Sequence, residues 1–241
     1  MSKGNAVVFG GSSGIGEASA RALLVKGQPV TITGRDRERL DRAGERLVAF
    51  GSVRTVVADA LNRAAVEHAF ELSEPVADVV ICVSGGKGAG AFRELDLNDV
   101  RGALEQKTMA QLTIAQVAAQ RLPDDGSITF VTAASARSVI RGTAGLAAVN
   151  GALEALIPVL ALELAPIRVN AVSPGIIDTP WWDGMPAAAR DAFFSTAIGT
   201  LPVRRIGTSQ EVGELIASIV SAGFLTGSVY EIDGGSHLVS Q

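Results

Sequence analysis

The chain has 241 residues, of which 47% are hydrophobic and 19% charged, and its formal net charge is −4. This much apolar material excludes an intrinsically disordered chain and predicts a single domain over residues 1–241. The mildly acidic balance offers no basic surface to nucleic acid or to an anionic membrane, so we expect a small-molecule ligand.

The longest apolar stretch is interrupted by Pro158 and Glu163, and it falls short of the roughly 20 residues that span a bilayer. The first residues lack the charged, apolar and cleavage regions of a signal peptide. We therefore expect a cytoplasmic protein without a membrane span. Cys82 is the single cysteine, and His68 and His237 are the only histidines, so we expect neither an intrachain disulfide nor a metal site.

Short apolar runs alternate along the chain with longer stretches of helical periodicity. The runs that predict strands are AVVF, PVTIT, VRTVV, DVVICV, SITFV, IRVNAV and SVYEI, at residues 6–9, 29–33, 53–57, 78–83, 127–131, 167–172 and 228–232. Helical periodicity covers residues 14–26, 37–49, 63–72, about 100–121 and about 143–165. Strands in helix-linked order predict an α/β fold, a doubly wound, seven-stranded parallel sheet between two layers of helices.

A glycine-rich turn, GGSSGIG, separates the first predicted strand from the first helix. Gly10 permits a tight turn, Gly14 lets the backbone approach a pyrophosphate, and Gly16 allows close packing of the helix. Ser12 and Ser13 add hydroxyl donors. Because this turn lies between a strand and a helix N-terminus, it predicts a dinucleotide site in a Rossmann-type sheet.

Residues of about 178–207 break the alternation with several prolines and aromatic side chains. An apolar insert at this point predicts a cover over the substrate, with Trp181, Trp182 and Met185 as substrate-binding residues. A subunit contact or a pair of surface helices is the alternative interpretation.

Three separated stretches resemble the short-chain dehydrogenase/reductase family in the expected order. GGSSGIG is similar to the family's glycine turn, with Phe9 where its threonine usually stands, and Asp59 in VVADA is similar to its adenine-contacting aspartate. ALEALIPVLALELAPIRVNAVSPGIIDTP is similar to the region of the sixth strand, and PVRRIGTSQEVGELIASIVSAGFLTGSVYEIDGG to the C-terminal third.

The resemblance implies a nicotinamide dinucleotide cofactor and a homo-oligomer, either a tetramer or a dimer. The long helices near residues 100–121 and 143–165 are rich in Ala, Leu and Val, which permits close packing between subunits. The cofactor-binding residues that it implies, together with those of the glycine turn, are Gly10, Ser12, Ser13, Gly14, Ile15, Gly16, Asp59, Ala60, Ser84, Gly85, Pro174, Gly175, Ile177 and Thr179.

The residues after the second strand favour NADP(H) over NAD(H). A carboxylate there would accept from both ribose hydroxyls, whereas Gly34 followed by Arg35 leaves room for a phosphate and offers it a guanidinium. The alternative is that Arg35 simply belongs to the charged start of the second helix.

The catalytic positions depart from the resemblance. The family's serine falls on Ala133, flanked by Thr132 and Ser135, and its Tyr-x-x-x-Lys falls on Leu146 and Asn150. The sequence contains no Tyr-x-x-x-Lys, and its single tyrosine, Tyr230, lies in the last predicted strand.

Lys107 stands where the family carries an asparagine, so that lysine and asparagine look exchanged between positions 107 and 150. A lysine that reaches inward from this helix would have its pKa lowered by burial and could donate a proton. Candidate catalytic residues are therefore Lys107, Asn150, Thr132 and Ser135. An exposed lysine on an amphipathic helix is the alternative.

These observations predict an NADPH-dependent oxidoreductase with a non-standard active site. Its substrate would be a small organic molecule that demands little of an acid, such as an activated carbonyl, an imine or a conjugated alkene. The alternatives are a redox-neutral cyclase or isomerase and a catalytically silent NADP-binding module.

Overall fold

The computed structural model describes residues 4–85 and 87–239. Seven parallel strands form one sheet in the order β3-β2-β1-β4-β5-β6-β9, which confirms the predicted fold class. The strands are β1 Asn5–Phe9, β2 Val30–Gly34, β3 Val53–Val57, β4 Val76–Ile81, β5 Ser127–Val131, β6 Arg168–Pro174 and β9 Val229–Ile232. Two short strands, β7 Ile177–Asp178 and β8 Gly207–Thr208, pair in a separate parallel sheet that the sequence pattern did not predict.

Helices connect the strands and cover both faces of the sheet. They are α1 Gly14–Val25, α2 Arg37–Leu47, α3 Arg63–Glu71, α4 Leu97–Ala103, α5 Ala110–Ala119, α6 Ala144–Glu163, α7 Ala187–Thr200 and α8 Ser209–Ser221. Several begin at a polar side chain that accepts from a free helix N–H. Asn62 caps α3, and Thr208 forms a capping box with Glu211 at the start of α8.

Each face of the sheet buries its own apolar cluster. Alternate residues of β1 divide between them, with Val7 and Phe9 facing α3, α5 and α6, and with Ala6 and Val8 facing α1, α2 and α8. Because both faces are covered, the strands read as continuous apolar runs. The packing fixes the carboxyl ends of the strands along one edge, where the glycine turn lies.

The helix expected over about residues 100–121 is divided in the structure. A π-helical segment, Leu104–Met109, joins α4 to α5. A π turn accommodates an extra residue with i to i+5 bonds, so the uniform helical period assumed from the sequence was wrong here. The segment buries Lys107 and Thr108.

The expectation that Pro158 interrupts the longest apolar stretch was also wrong. Helix α6 continues through Pro158 for 20 residues, and its mean hydropathy of 1.8 makes it long and apolar enough, by length and composition, to cross a membrane. Pro158 is exposed, while Leu153 and Ile157 pack in the core beneath the sheet. A proline on the outer side removes one N–H bond without disturbing the packed side.

Candidate active site

The glycine turn brings the chain close to itself and leaves backbone N–H groups free at the start of α1. Gly10 has a φ of +81°, and a Cβ on Gly16 would lie 2.1 Å from the Gly10 carbonyl oxygen, so a side chain is excluded at both positions. Helix α1 begins at Gly14, and Glu17 N–H donates to the Ser13 carbonyl. The N–H groups of the preceding first-turn residues, Ile15 among them, are therefore free of intrahelical bonds, and they fit an anionic pyrophosphate.

Two arginines follow β2: Arg35 comes directly after the strand, and Arg39 lies in the first turn of α2. Arg35 is exposed, and the Arg39 guanidinium donates to Ser13 Oγ over 3.2 Å. Asp36, the residue after Arg35, accepts from Arg39 N–H over 3.0 Å as the cap of α2. It is thus engaged with the helix, and the cationic side chains border the turn. Sequence reasoning missed Arg39, although its i, i+4 spacing from Arg35 was a usable signal.

The turns after β3 and β4 lie along the same edge. Asp59 accepts from Leu61 N–H over 3.1 Å, and Ala60 is buried. Ser84 is exposed, and a Cβ on Gly85 would lie 3.3 Å from the Ala103 carbonyl oxygen. This turn therefore packs closely against the end of α4.

The chain after β6 returns to the glycine turn. Pro174 ends β6, and a Cβ on Gly175 would come within 2.7 Å of Asp233 Cα, so glycine is required at that close approach. Ile177 begins β7, and a Cβ on Gly14 would stand 3.5 Å from Thr179 Cβ. The predicted pyrophosphate and nicotinamide residues thus come together.

The aromatic insert is anchored by one tryptophan. Trp182 Nε1–H donates to the Ile177 carbonyl over 2.8 Å. The rings of Trp181, Phe193 and Phe194 surround Trp182, with centroids at 4.6, 5.2 and 5.4 Å. Met185 is half-buried, whereas α7 buries only Ala197 among its side chains. The insert therefore packs mainly within its own aromatic cluster.

Lys107 is buried, with 7% of its surface exposed, so the interpretation of an exposed helical lysine does not hold. Its Nζ donates to the Thr132 carbonyl at the end of β5 over 3.1 Å. Burial lowers the pKa of Lys107 from 10.5 to about 8, against the opposing effects of Cys82 and Glu154. Desolvation also raises the pKa of the Cys82 thiol to about 12, so that this neighbour is neutral at physiological pH.

A buried carboxylate, missed from the sequence, lies on the other side of Thr132. The Thr132 hydroxyl lies 2.9 Å from Glu154 Oε1 and 3.2 Å from the Val172 carbonyl oxygen. Glu154 is 9% exposed, and its Oε2 pairs with Arg137 Nε over 2.8 Å. The signal available in the sequence was an acidic residue on a helix that is otherwise apolar around it.

Asn150 and Ser135 form a second hydrogen-bonded pair near the end of β5. Asn150 Nδ2–H donates to Ser135 Oγ over 3.1 Å and to the Leu146 carbonyl over 3.0 Å. Within residues 4–85 and 87–239, Asn150 Oδ1 is buried without a hydrogen-bond partner. The Thr108 hydroxyl donates to the Val149 carbonyl, which ties the π segment to α6. All four candidate catalytic residues therefore lie around the end of β5, while Tyr230 lies on β9 among core residues.

Glu231, Asp233 and His237 bring ligand-type atoms within 4.8 Å of one another, an arrangement that could hold a metal ion. Asp233 already accepts from Gly235 N–H, from the Ser236 hydroxyl and from His237 N–H. Glu231 pairs with both Arg137 and His237. The contacts are those of an ion-pair network, and the hydrogen bond to Asp233 raises the pKa of His237.

Comparison with known proteins identifies the family. A profile described as Enoyl-(Acyl carrier protein) reductase matches residues 10–237. The chain belongs to the short-chain dehydrogenase/reductase family. It is thereby a member of an oxidoreductase family, as the sequence resemblance predicted.

Curated relatives and solved structures cover nearly the whole chain. Cis-4-hydroxycyclohexanecarboxylate dehydrogenase of Sinomonas cyclohexanicum is 31% identical over 95% of this chain and 95% of its own. Peroxisomal 2,4-dienoyl-CoA reductase of Saccharomyces cerevisiae is 28% identical over 95% of this chain and 82% of its own. The crystal structure of a small-chain dehydrogenase in complex with NADPH superposes with a TM-score of 0.83, at 29% identity over 98% of this chain and 100% of its own. That complex supports binding of a nicotinamide dinucleotide in this fold.

Proposed function

We propose that the protein is an NADPH-dependent reductase in which Lys107 replaces the tyrosine acid usual in its family. The observation that carries the proposal is the buried Lys107 ammonium, held at the end of β5 by the Thr132 carbonyl. The sequence has no Tyr-x-x-x-Lys to supply a proton by the usual route. Lys107 is thus the acid that this site offers.

Bound NADPH would supply the hydride. The chain's own residues then have to deliver a proton to the atom that gains negative charge, and Lys107 Nζ has protons beyond the one donated to Thr132. A pKa near 8 leaves the amine largely protonated at neutral pH, and it makes the ammonium a stronger acid than an ordinary lysine. Asn150 and Ser135, which are hydrogen-bonded to each other, are the further polar groups of the proposed site.

We propose small substrates that already carry activation, namely an imine, an activated carbonyl or a conjugated alkene. The dienoyl-CoA reductase relative acts on a conjugated system by its name, and the cyclohexane carboxylate dehydrogenase acts on a compact ring. The aromatic cluster around Trp182 offers an apolar cover for such molecules. Trp181, about half exposed, is available for direct contact with the substrate.

The preference for NADPH is proposed from the two arginines beside the glycine turn. Arg35 and Arg39 provide guanidinium groups for a ribose phosphate, while Asp36 is occupied in capping α2. We also propose a homodimer or homotetramer. Val159 and Leu162, 48% and 82% exposed, lie on the outer side of α6 and would gain from burial against a second copy.

The test of the acid is single-turnover NADPH oxidation by wild type and Lys107→Met. The substrates are a cyclic imine, a conjugated enone and an unactivated ketone. We expect the variant to be slower by about 100-fold or more with no comparable loss of NADPH affinity, because a general acid contributes about 10² to 10⁴ in rate. The wild-type rate should fall as pH rises through about 8, where the amine loses its proton.

Lys26→Met is the matched control. Lys26 Nζ also donates to a backbone carbonyl over 3.1 Å, that of Ala217, but it lies away from the end of β5. Equal rates for Lys107→Met and wild type on every substrate would show that the lysine is not the acid. NADPH binding without any oxidation across the panel would favour the redox-neutral or silent alternatives.

A further inference from the structure

A continuous chain of polar contacts links Lys107 to the protein surface. The Thr132 carbonyl accepts from Lys107, the Thr132 hydroxyl contacts Glu154, and Glu154 pairs with Arg137. Arg137 is 43% exposed and pairs further with Glu231 of β9. This series of contacts therefore runs from the buried proton donor to an arginine that is partly exposed to solvent.

We propose that Glu154 is a positioning residue for Lys107. The charge of Arg137 determines how strongly the Glu154 carboxylate stabilises the protonated lysine. The inference rests on the proposed function, in which Lys107 is the acid. Glu154 acts through Thr132 and through its charge, without touching the reacting atoms.

Thr132 connects Lys107 to Glu154, and both its main chain and its side chain are held in place. Its N–H donates to the Val172 carbonyl over 2.9 Å, so β6 fixes the main chain. The carboxylate of Glu154 then fixes the side chain from α6. Because Lys107 donates to the carbonyl of the same residue, Thr132 contacts the lysine through its main chain and the Glu154 carboxylate through its side chain.

The charges that face Lys107 single out Glu154. Cys82, after β4, and Glu154, on α6, are the described groups whose charges act on the lysine, and the Cys82 thiol is neutral at physiological pH. Glu105, on the lysine's own π segment, is exposed. Glu154 is therefore the anion that favours the protonated lysine.

Arg137 is in turn held by charges from the opposite side. Glu231 of β9 pairs with it, and His237 pairs with Glu231 and Asp233. Arg137 thus shares its charge between two carboxylates. Removing the Arg137 charge should leave the negative charge of Glu154 less neutralised. Glu154 should then stabilise the protonated form of Lys107 more strongly.

The two partners predict opposite results. Glu154→Gln keeps the shape and removes the negative charge, so the pKa of Lys107 should fall by about 0.5 to 1. Arg137→Met removes a positive charge, so the same pKa should rise by about the same amount. A residue needed only for folding would not produce shifts of opposite sign.

The measurement is a ¹⁵N NMR titration of the lysine side chains in the purified protein, without substrate. The chain has four lysines, so the Lys107 signal is assigned as the one missing in Lys107→Met. The matched controls are Glu163→Gln, at the exposed end of α6, and Arg141→Met, at an exposed position. Both should leave the pKa of Lys107 unchanged.

An unchanged Lys107 titration in Glu154→Gln, or shifts of the same sign in both variants, would overturn the inference. Should Glu154→Gln fail to fold, Arg137→Met alone decides, with a raised pKa in favour and an unchanged or lowered pKa against. The proposed function fails separately, if Lys107→Met reduces the substrate panel as fast as wild type. If Lys107→Met is slow but the pKa of Lys107 is unchanged in the Glu154 and Arg137 variants, Lys107 remains the proposed acid and only the role of Glu154 is excluded.

Discussion

Lys107 should lower the stability of the folded protein at neutral pH, and Lys107→Met should therefore stabilise it. Lys107 is 7% exposed, and the one hydrogen bond of its ammonium within the described residues goes to the Thr132 carbonyl. Burial lowers its pKa from 10.5 to about 8, which at about 1.36 kcal/mol per pKa unit corresponds to a cost of about 3 kcal/mol. The lost bond to Thr132 offsets about 1 kcal/mol of the gain, so we expect Lys107→Met to be about 2 kcal/mol more stable at pH 7.

The difference in stability between Lys107→Met and wild type should depend on pH. Because the folded-state pKa lies below the unfolded one, the unfolded chain binds more protons between about pH 8 and 10.5. The cost of the buried charge is complete below pH 8, declines through that window and is absent above it. The stability advantage of Lys107→Met should therefore shrink as pH rises from 8 to 10.5.

Urea denaturation of both proteins at the same concentration and at pH 7, 9 and 10.5 measures the effect. Lys26→Met, which changes an exposed lysine in the same way, should stay within about 0.5 kcal/mol of wild type throughout. A destabilised Lys107→Met at pH 7, or an advantage that does not change with pH, would refute the account of Lys107 as a buried and poorly compensated cation.

Substitutions at the glycine turn, beside β2, on the outer side of α6 and at the catalytic positions should each have a measurable effect. Arg35→Ala should reduce the preference for NADPH over NADH by about tenfold to a hundredfold in calorimetric titration, as for loss of a charge-assisted contact, and equal wild-type affinities would exclude the preference. Gly16→Ala should abolish NADPH binding in the same titration, because the methyl group would fall 2.1 Å from the Gly10 carbonyl oxygen. Light scattering should give a multiple of 24.8 kDa that falls toward the monomer in Leu162→Glu, and a wild-type monomer would end the oligomer proposal. Leu146→Tyr with Asn150→Lys should gain slow single-turnover reduction of the unactivated ketone, more so if Lys107→Asn removes the competing cation.

The sequence by itself determined the sheet and the glycine turn, because their signals are local. A strand covered on both faces must be apolar along its length, and such runs placed all seven strands of the main sheet. Gly10 and Gly16 are demanded by backbone geometry within one short turn, so their spacing could be read directly. The helix that follows was also predicted to its first residue, Gly14.

Only the tertiary structure decided which polar groups surround the site. The burial of Lys107 depends on a π turn that no helical period reveals, and the segment's contact with Thr132 spans 25 residues of chain. Glu154 lies next to Thr132 because α6 packs against β6 and against the turn that follows β5, and Arg137 reaches Glu154 from that same turn. A short strand pair such as β7 and β8 has too few residues to show a pattern. Periodicity records which side of an element is buried, whereas the partners of a buried charge depend on how distant elements meet, and that is a property of the folded chain alone.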